Sequence, residues 1–291
     1  MTGFVSITGA KQRQAVLPWV FAAVLAACIW MLFARVLAGM AADWWREPAW
    51  SQGMLLPPLA CYLAYSQRRR TFRQPAAIDM RGVGAIGAAC LMWLAGSLAS
   101  EFFLMRMSFV LMLFGLAWTF WGAARVKTLS FPFLLLASMV PLPALVYNSL
   151  AAPLQLLASD WAVRAAQFFG ISVFRDGNVI QLAGITLGVA EACSGLNSLS
   201  AMLVGSIIIG YLVCRGALNR AILVAIAAPL AILVNIFRVS GTAILAEYQP
   251  EFALGYYHSF SGWMVVMVGF GLLYAAARLL HVCIGAPEQF Q

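Results

Sequence analysis

Charge is what this chain has least of. Only 10% of its 291 residues are Asp, Glu, Lys or Arg, against 63% that are hydrophobic. A soluble domain carries about 25% charged and 45–50% apolar residues, so an ordinary water-soluble enzyme is excluded, as is a disordered or nucleic-acid-coating protein. Histidine is nearly missing, with only His258 and His281. The cysteines (Cys28, Cys61, Cys90, Cys193, Cys214, Cys283) form no CxxC pair and keep no regular spacing. That supports neither a disulfide framework nor a zinc site, and no metal or other cofactor is expected. Repeats, low-complexity tracts and linkers long enough to suggest a second domain are absent as well, so one integral-membrane domain is expected over 1–291.

What the chain does have is long apolar runs. The basic excess, eighteen Lys and Arg against ten Asp and Glu, punctuates those runs and forms no nucleic-acid patch, as in a polytopic membrane protein. Lys11 and Arg13 precede a run too long for a signal-peptide core, which reads as a retained first span. A helix needs about 20 mostly apolar residues to cross the hydrocarbon layer. By that measure the sequence predicts an all-α polytopic membrane protein of about eight spans: Gln14–Met40, Trp50–Gln67, Gly82–Phe103, Met107–Ala124, Ser130–Tyr147, Asn197–Cys214, Ala221–Tyr248 and Ser259–Ala277. The second and fifth are the weakest, interrupted by Pro57, Pro58, Pro132, Pro141 and Pro143. With both termini cytoplasmic, twelve basic residues fall on the cytoplasmic side and four (Arg46, Arg106, Arg164, Arg175) on the other, the bias that sets orientation.

The long outer segment, about 148–196, begins with an amphipathic stretch, Leu154–Phe169. Asp160, Arg164 and Gln167 share one face and Leu154, Leu157, Trp161 and Phe168 another, which predicts an interfacial helix. Short β-like runs follow at Ser172–Phe174, Val179–Leu182 and Ile185–Val189, separated by Asp176-Gly177-Asn178 and Ala183-Gly184. A small β-element is expected to cap the outer face.

Three reactive side chains fall on that face. Cys193, in Glu191-Ala-Cys-Ser194-Gly195-Leu-Asn197, lies at the N-terminal end of the sixth span, where backbone N–H groups and the helix dipole favour a thiolate and could receive an oxyanion. The plainer alternative is a small packing residue. Arg238, in Asn235-Ile-Phe-Arg-Val, is a charge within a span, a functional residue by default or else a structural arginine that snorkels or pairs with Glu247. Asn235, three residues earlier, shares its helix face. His258 opens the eighth span. A cysteine with a histidine to take its proton and a cation for the oxyanion is the arrangement of nucleophilic acyl transfer. A transporter with a polar site at the outer helix ends is the rival; it requires a polar path across the whole bilayer.

Glu191-Ala-Cys-Ser-Gly-Leu, Asn235-Ile-Phe-Arg238-Val and His258 with Ser261-Gly-Trp263 resemble the signature of the exosortase/archaeosortase family. The likeness runs from the second span to the eighth, through Pro141-Leu-Pro143, Pro153-Leu-Gln155 and Gly170–Ile180, with the catalytic spans at about 190–277. It implies a membrane-embedded cysteine transpeptidase or protease with Cys193, Arg238 and His258 as its catalytic set. Its substrates would be secreted proteins ending in a Pro-Glu-Pro motif, a transmembrane helix and a basic tail, cut at the outer face and passed to an unidentified acceptor. Histidine as the third catalytic residue implies the bacterial branch, hence an inner membrane with a periplasmic active site. Glu191, Ser194, Gly195, Asn235 and Asn197 are supporting candidates; Glu191 orients His258 or Arg238, or caps the junction. Asn197 departs from the family pattern, where many relatives carry a basic residue, and this bears on substrate specificity.

Overall fold

A computed structural model describes residues 5–188, 196–249 and 255–283, with side chains described over 20–188, 196–249 and 260–282. Its helices are α1 (Val5–Arg46), a 3₁₀ helix (Pro48–Met54), α2 (Leu56–Ser66), α3 (Arg68–Arg73), α4 (Arg81–Leu98), α5 (Phe102–Trp121), α6 (Ala123–Thr128), α7 (Ser130–Ser138) and α8 (Ala144–Phe168). Strands β1 (Val173–Asp176), β2 (Val179–Leu182) and β3 (Thr186–Gly188) come next, then α9 (Leu196–Val213), α10 (Ala217–Tyr248) and α11 (Gly255–Cys283).

Six helices among the described residues are long and apolar enough to span: Val20–Arg46, Arg81–Leu98, Phe102–Trp121, Leu196–Val213, Ala217–Tyr248 and Phe260–Val282. They match six of the eight expected segments. The other two are broken, and proline is the reason. Trp50 belongs to the 3₁₀ helix, and Pro57 and Pro58 fall in the first turn of α2, where a missing N–H is tolerated. Pro141 and Pro143 force the residues before them out of helical geometry, so α7 stops at Ser138 and a new helix starts at Ala144. At 11 residues, α2 is about 16 Å long, half the hydrocarbon thickness of about 30 Å. The loop between the next two spans also comes earlier than hydropathy suggests. It turns at Ser100, whose φ of 54° is the one positive value of a non-glycine residue described.

The chain divides into two compact units, residues 1–43 with 60–140, and residues 44–59 with 141–291. In the first, α4 and α5 form a hairpin closed by small residues: a methyl on Gly115 would lie 2.9 Å from the backbone nitrogen of Ile86, the close approach that stabilises helix pairs where no hydrophobic effect acts between them. Phe33 and Val36 of α1 pack on Ala89 and Met112 of that hairpin. Arg106, 8% exposed, pairs with Asp43 at 2.6 Å. Asp79 opens α4. Its carboxylate accepts from the Arg81 backbone N–H (3.0 Å) and from Trp118 Nε1 (2.8 Å).

In the second unit α10 is the axis. Its buried positions Asn219, Leu223, Ala227, Ala231, Asn235, Val239 and Ala243 recur every fourth residue. Four residues turn an α-helix by about 400°, so this stripe winds round the helix by about 40° per step. One end therefore meets one set of partners and the other end another. Leu223, Ala227 and Ala231 pack with Met202 of α9 and Leu273 and Ala277 of α11. Val239 and Ala243 pack with Ala158, Ala162 and Val163 of α8 and with Ile180 of β2.

The expected interfacial helix is present and longer than its amphipathic stretch, running from Ala144 with Pro153 inside. It buries Ala158, Ala162 and Ala166, while Leu157, Trp161 and Phe168 stay exposed. The large apolar face is thus free for lipid, and the packing face is made of alanines. Asp160 and Arg164 form an i,i+4 pair at 2.9 Å. The sheet is an antiparallel meander in the order β1-β2-β3. Asp176 pairs with Val179 across a two-residue turn, where Gly177 takes a φ of 61°. Ile180 and Leu182 point into the cores made with α8 and α10. Arg175 ties the sheet to α8, donating to the Leu156 carbonyl at 3.2 Å.

Candidate active site

Arg238 lies on α10 where the buried stripe changes partners, just past the buried Asn235. Its Nη1 lies against α11 at Gly262; a Cβ added there would approach it to 3.2 Å. Glycine at 262 therefore leaves room for the guanidinium. Thr242, one turn on, donates to the Arg238 carbonyl at 2.9 Å.

The mouth of the site is built by the first turn of α9 and the 3₁₀ helix. Tyr147 donates from its hydroxyl to Asn197 Oδ1 at 3.3 Å, and its ring centroid is 5.4 Å from that of Trp50. Ser200 reaches the Ala49 carbonyl at 3.4 Å. These contacts hold the 3₁₀ helix beside α9, and between them opens a cavity of about 700 Å³. Arg238, Asn197, Ser51, Gln52, Gly262 and Trp263 line it. It continues along one face of α9, through Ala201 and Gly205 to Ile208, opposite Val266 and Phe270 of α11. From Asn197 to Ile208 that face is about 16 Å long. The site is a polar mouth over an apolar groove running at membrane depth.

Of the residues expected from sequence, Arg238 and Asn197 share this cavity. Asn235 is 3% exposed and is not among the lining residues. His258 occupies the first turn of α11, four residues before Gly262 and so on the same helix face. Its side chain lies outside the described residues, as do Glu191, Cys193, Ser194 and Gly195. Pairing of Arg238 with Glu247 does not occur: nine residues along a continuous helix place them about 13 Å apart on opposite faces. Ser51 and Gln52 are lining residues that sequence reasoning misses. Their signal is two polar residues in an apolar stretch between Pro48 and Pro57, which hydropathy alone assigns to a span.

Compared with models of known families, the chain matches Transmembrane exosortase over residues 44–275. The chain belongs to the transmembrane exosortase family. The matched range takes in every residue lining the cavity and begins where the second compact unit begins, at Trp44. Membership brings a multi-pass membrane enzyme of the cysteine peptidase or transpeptidase kind, acting on proteins with C-terminal sorting signals in a bilayer. No curated protein and no solved structure gave a match.

Proposed function

We propose that this exosortase is a thioester-forming transpeptidase with Cys193 as nucleophile, His258 as proton acceptor and Arg238 as the fixed cation. One observation carries the reading: Arg238 is held against the α11 face that His258 begins, at the mouth of an apolar groove. Cys193 precedes Leu196, the first residue of α9, by three positions in the sequence.

The substrate's peptide bond lies at the polar mouth, and its own transmembrane helix lies in the bilayer beside the enzyme. Cys193 Sγ attacks the scissile carbonyl carbon while His258 takes the thiol proton. Charge builds on the carbonyl oxygen, where Arg238 and the N–H groups at the start of α9 stabilise it. The tetrahedral intermediate collapses, the C–N bond breaks, and His258 returns its proton to the departing amine. An acceptor amine, or water, then attacks the thioester and frees Cys193. Glu191 orients His258 or Arg238, and Asn235 supports α10 beside the arginine. The orientation that fits the loop charges places this mouth on the periplasmic side of the inner membrane, with substrates ending in a Pro-Glu-Pro motif, a transmembrane helix and a basic tail. A transporter is disfavoured because the groove turns apolar within one turn of Asn197, at Ala201, and stays so to Phe270.

The test follows the C-terminal mass of a Pro-Glu-Pro-tailed secreted protein in cells making the enzyme or a variant. Cys193→Ala and Cys193→Ser should abolish removal of the tail with expression unchanged, and Arg238→Lys should reduce it, because lysine lacks the planar fork of donors. Tail removal by Cys193→Ala would eliminate the covalent mechanism.

A further inference from the structure

A second cavity lies at the far end of α9, α10 and α11 from Arg238. It measures about 520 Å³ and is lined by Tyr211, Arg215, Arg220, Arg278 and His281. These come from the end of α9, the loop Cys214-Arg215-Gly216, the first turn of α10 and the last turns of α11. The loop is fixed in place. Cys214 Sγ lies 3.8 Å from the Ala277 carbonyl, and Arg220 Nε donates to the Cys214 carbonyl at 3.3 Å. The Arg220 guanidinium stands 5.2 Å from the Tyr211 ring centroid. Arg278 and His281, three apart on α11, share one face.

This is a concentration of positive charge with no carboxylate paired to it among the described residues. No ion pair among the described residues includes Arg215, Arg220 or Arg278. No Asp or Glu occurs between Ser198 and Ala246, or between Phe260 and Val282. His281 Nδ1 is buried without a hydrogen-bond partner among the described residues. Gly216, which also lines the cavity, precedes α10, a 32-residue helix whose N-terminal dipole end is positive. Solvation alone would account for scattered exposed arginines. It does not account for three of them lining one cavity together with a histidine, with no carboxylate beside them among the described residues. Exposed Leu212 and Val282 flank it and present apolar surface at the same level.

We infer that this cavity binds the phosphate of an anionic phospholipid headgroup, with the acyl chains lying against the apolar residues beside it. The chemistry that recognises the ligand is a phosphate anion among guanidinium groups. Position at the end of three spanning helices makes a lipid, and not a soluble phosphate, the source. The inference is independent of the acyl-transfer reading.

The experiment is native mass spectrometry of the full chain in detergent, titrated with phosphatidylglycerol or phosphatidylcholine of matched chains. Wild type should retain phosphatidylglycerol preferentially. In Arg220→Gln and Arg278→Gln the preference should fall by about fivefold for each arginine removed. Arg220→Lys/Arg278→Lys should keep most of it, which separates charge from folding, and Arg68→Gln/Arg69→Gln in the other unit should keep all of it. Equal retention of the two lipids by wild type, or a preference that survives the double Gln variant, overturns the inference. Displacement of phosphatidylglycerol by millimolar inorganic phosphate would assign the cavity to free phosphate and overturn the lipid assignment; persistence supports it.

Discussion

At the residue scale the site turns on a missing side chain. Gly262 is where α11 makes way for the guanidinium of Arg238, and the 3.2 Å clearance leaves no space for a branched substituent. A displacement of about 1 Å of a charge aimed at a developing oxyanion is enough to lower turnover by about 100-fold. Gly262→Val should therefore cut sorting-signal removal by about that factor, and Gly262→Ala by less, with protein level and thiol labelling of Cys193 unchanged. Measured processing rates check this, and a fully active Gly262→Val would mean that the position of Arg238 is not critical. Much of this residue-level detail is legible in the sequence. Arg238, a charged residue inside an apolar run, stands out against a background of 10% charge, while Cys193 and the His258 side chain lie outside the described residues. The Arg106–Asp43 pair does not, because its partners are 63 positions apart and neither is unusual for a loop end.

At the element scale α4 offers a pH-dependent feature. The Asp79 carboxylate accepts from the Arg81 backbone N–H, then from Trp118, and lies near the Arg81 charge; these hold its pKa below the usual carboxylate range. A lowered folded-state pKa contributes stability that is present above the unfolded value of about 4 and is lost as pH falls through the folded value. Thermal unfolding in detergent should therefore show wild type more stable than Asp79→Asn near neutral pH, with the gap closing below about pH 4. A gap that stayed constant down to pH 3 would exclude the carboxylate as its source. Helices are legible where apolar runs go uninterrupted, and strands come within two residues because Gly177 and Gly184 mark the turns. The start of α8 at Ala144 is hidden because Pro153 falls inside the helix, and its packing face is hidden because the burial of Ala158, Ala162 and Ala166 depends on the fit with α10. The 3₁₀ helix is hidden too, since its place beside α9 is set by contacts with Ser200 and Tyr147, about 100 to 150 residues away.

At the scale of the whole molecule, the proposed orientation rests on the distribution of charge between loops. Asn178 lies in the turn between β1 and β2, and Arg69 lies in α3. With the proposed topology, and in a background whose six native cysteines are replaced by Ala, Asn178→Cys should react with a membrane-impermeant maleimide in intact spheroplasts, and Arg69→Cys only after lysis. The reverse pattern would invert the protein in the membrane and move the cavity at Arg238 to the other side.

The length of α10 has a further consequence. Arg220 and Arg238 are eighteen residues apart on one continuous helix, a rise of about 27 Å. The hydrocarbon layer is about 30 Å thick. Arginine side chains extend that reach at both ends, so the two guanidinium groups can both sit at the headgroups, and increasing tilt of α10 draws them inward. The bilayer thus acts as a gauge on α10, and the depth of Arg238 in the membrane is set by lipid as well as by protein.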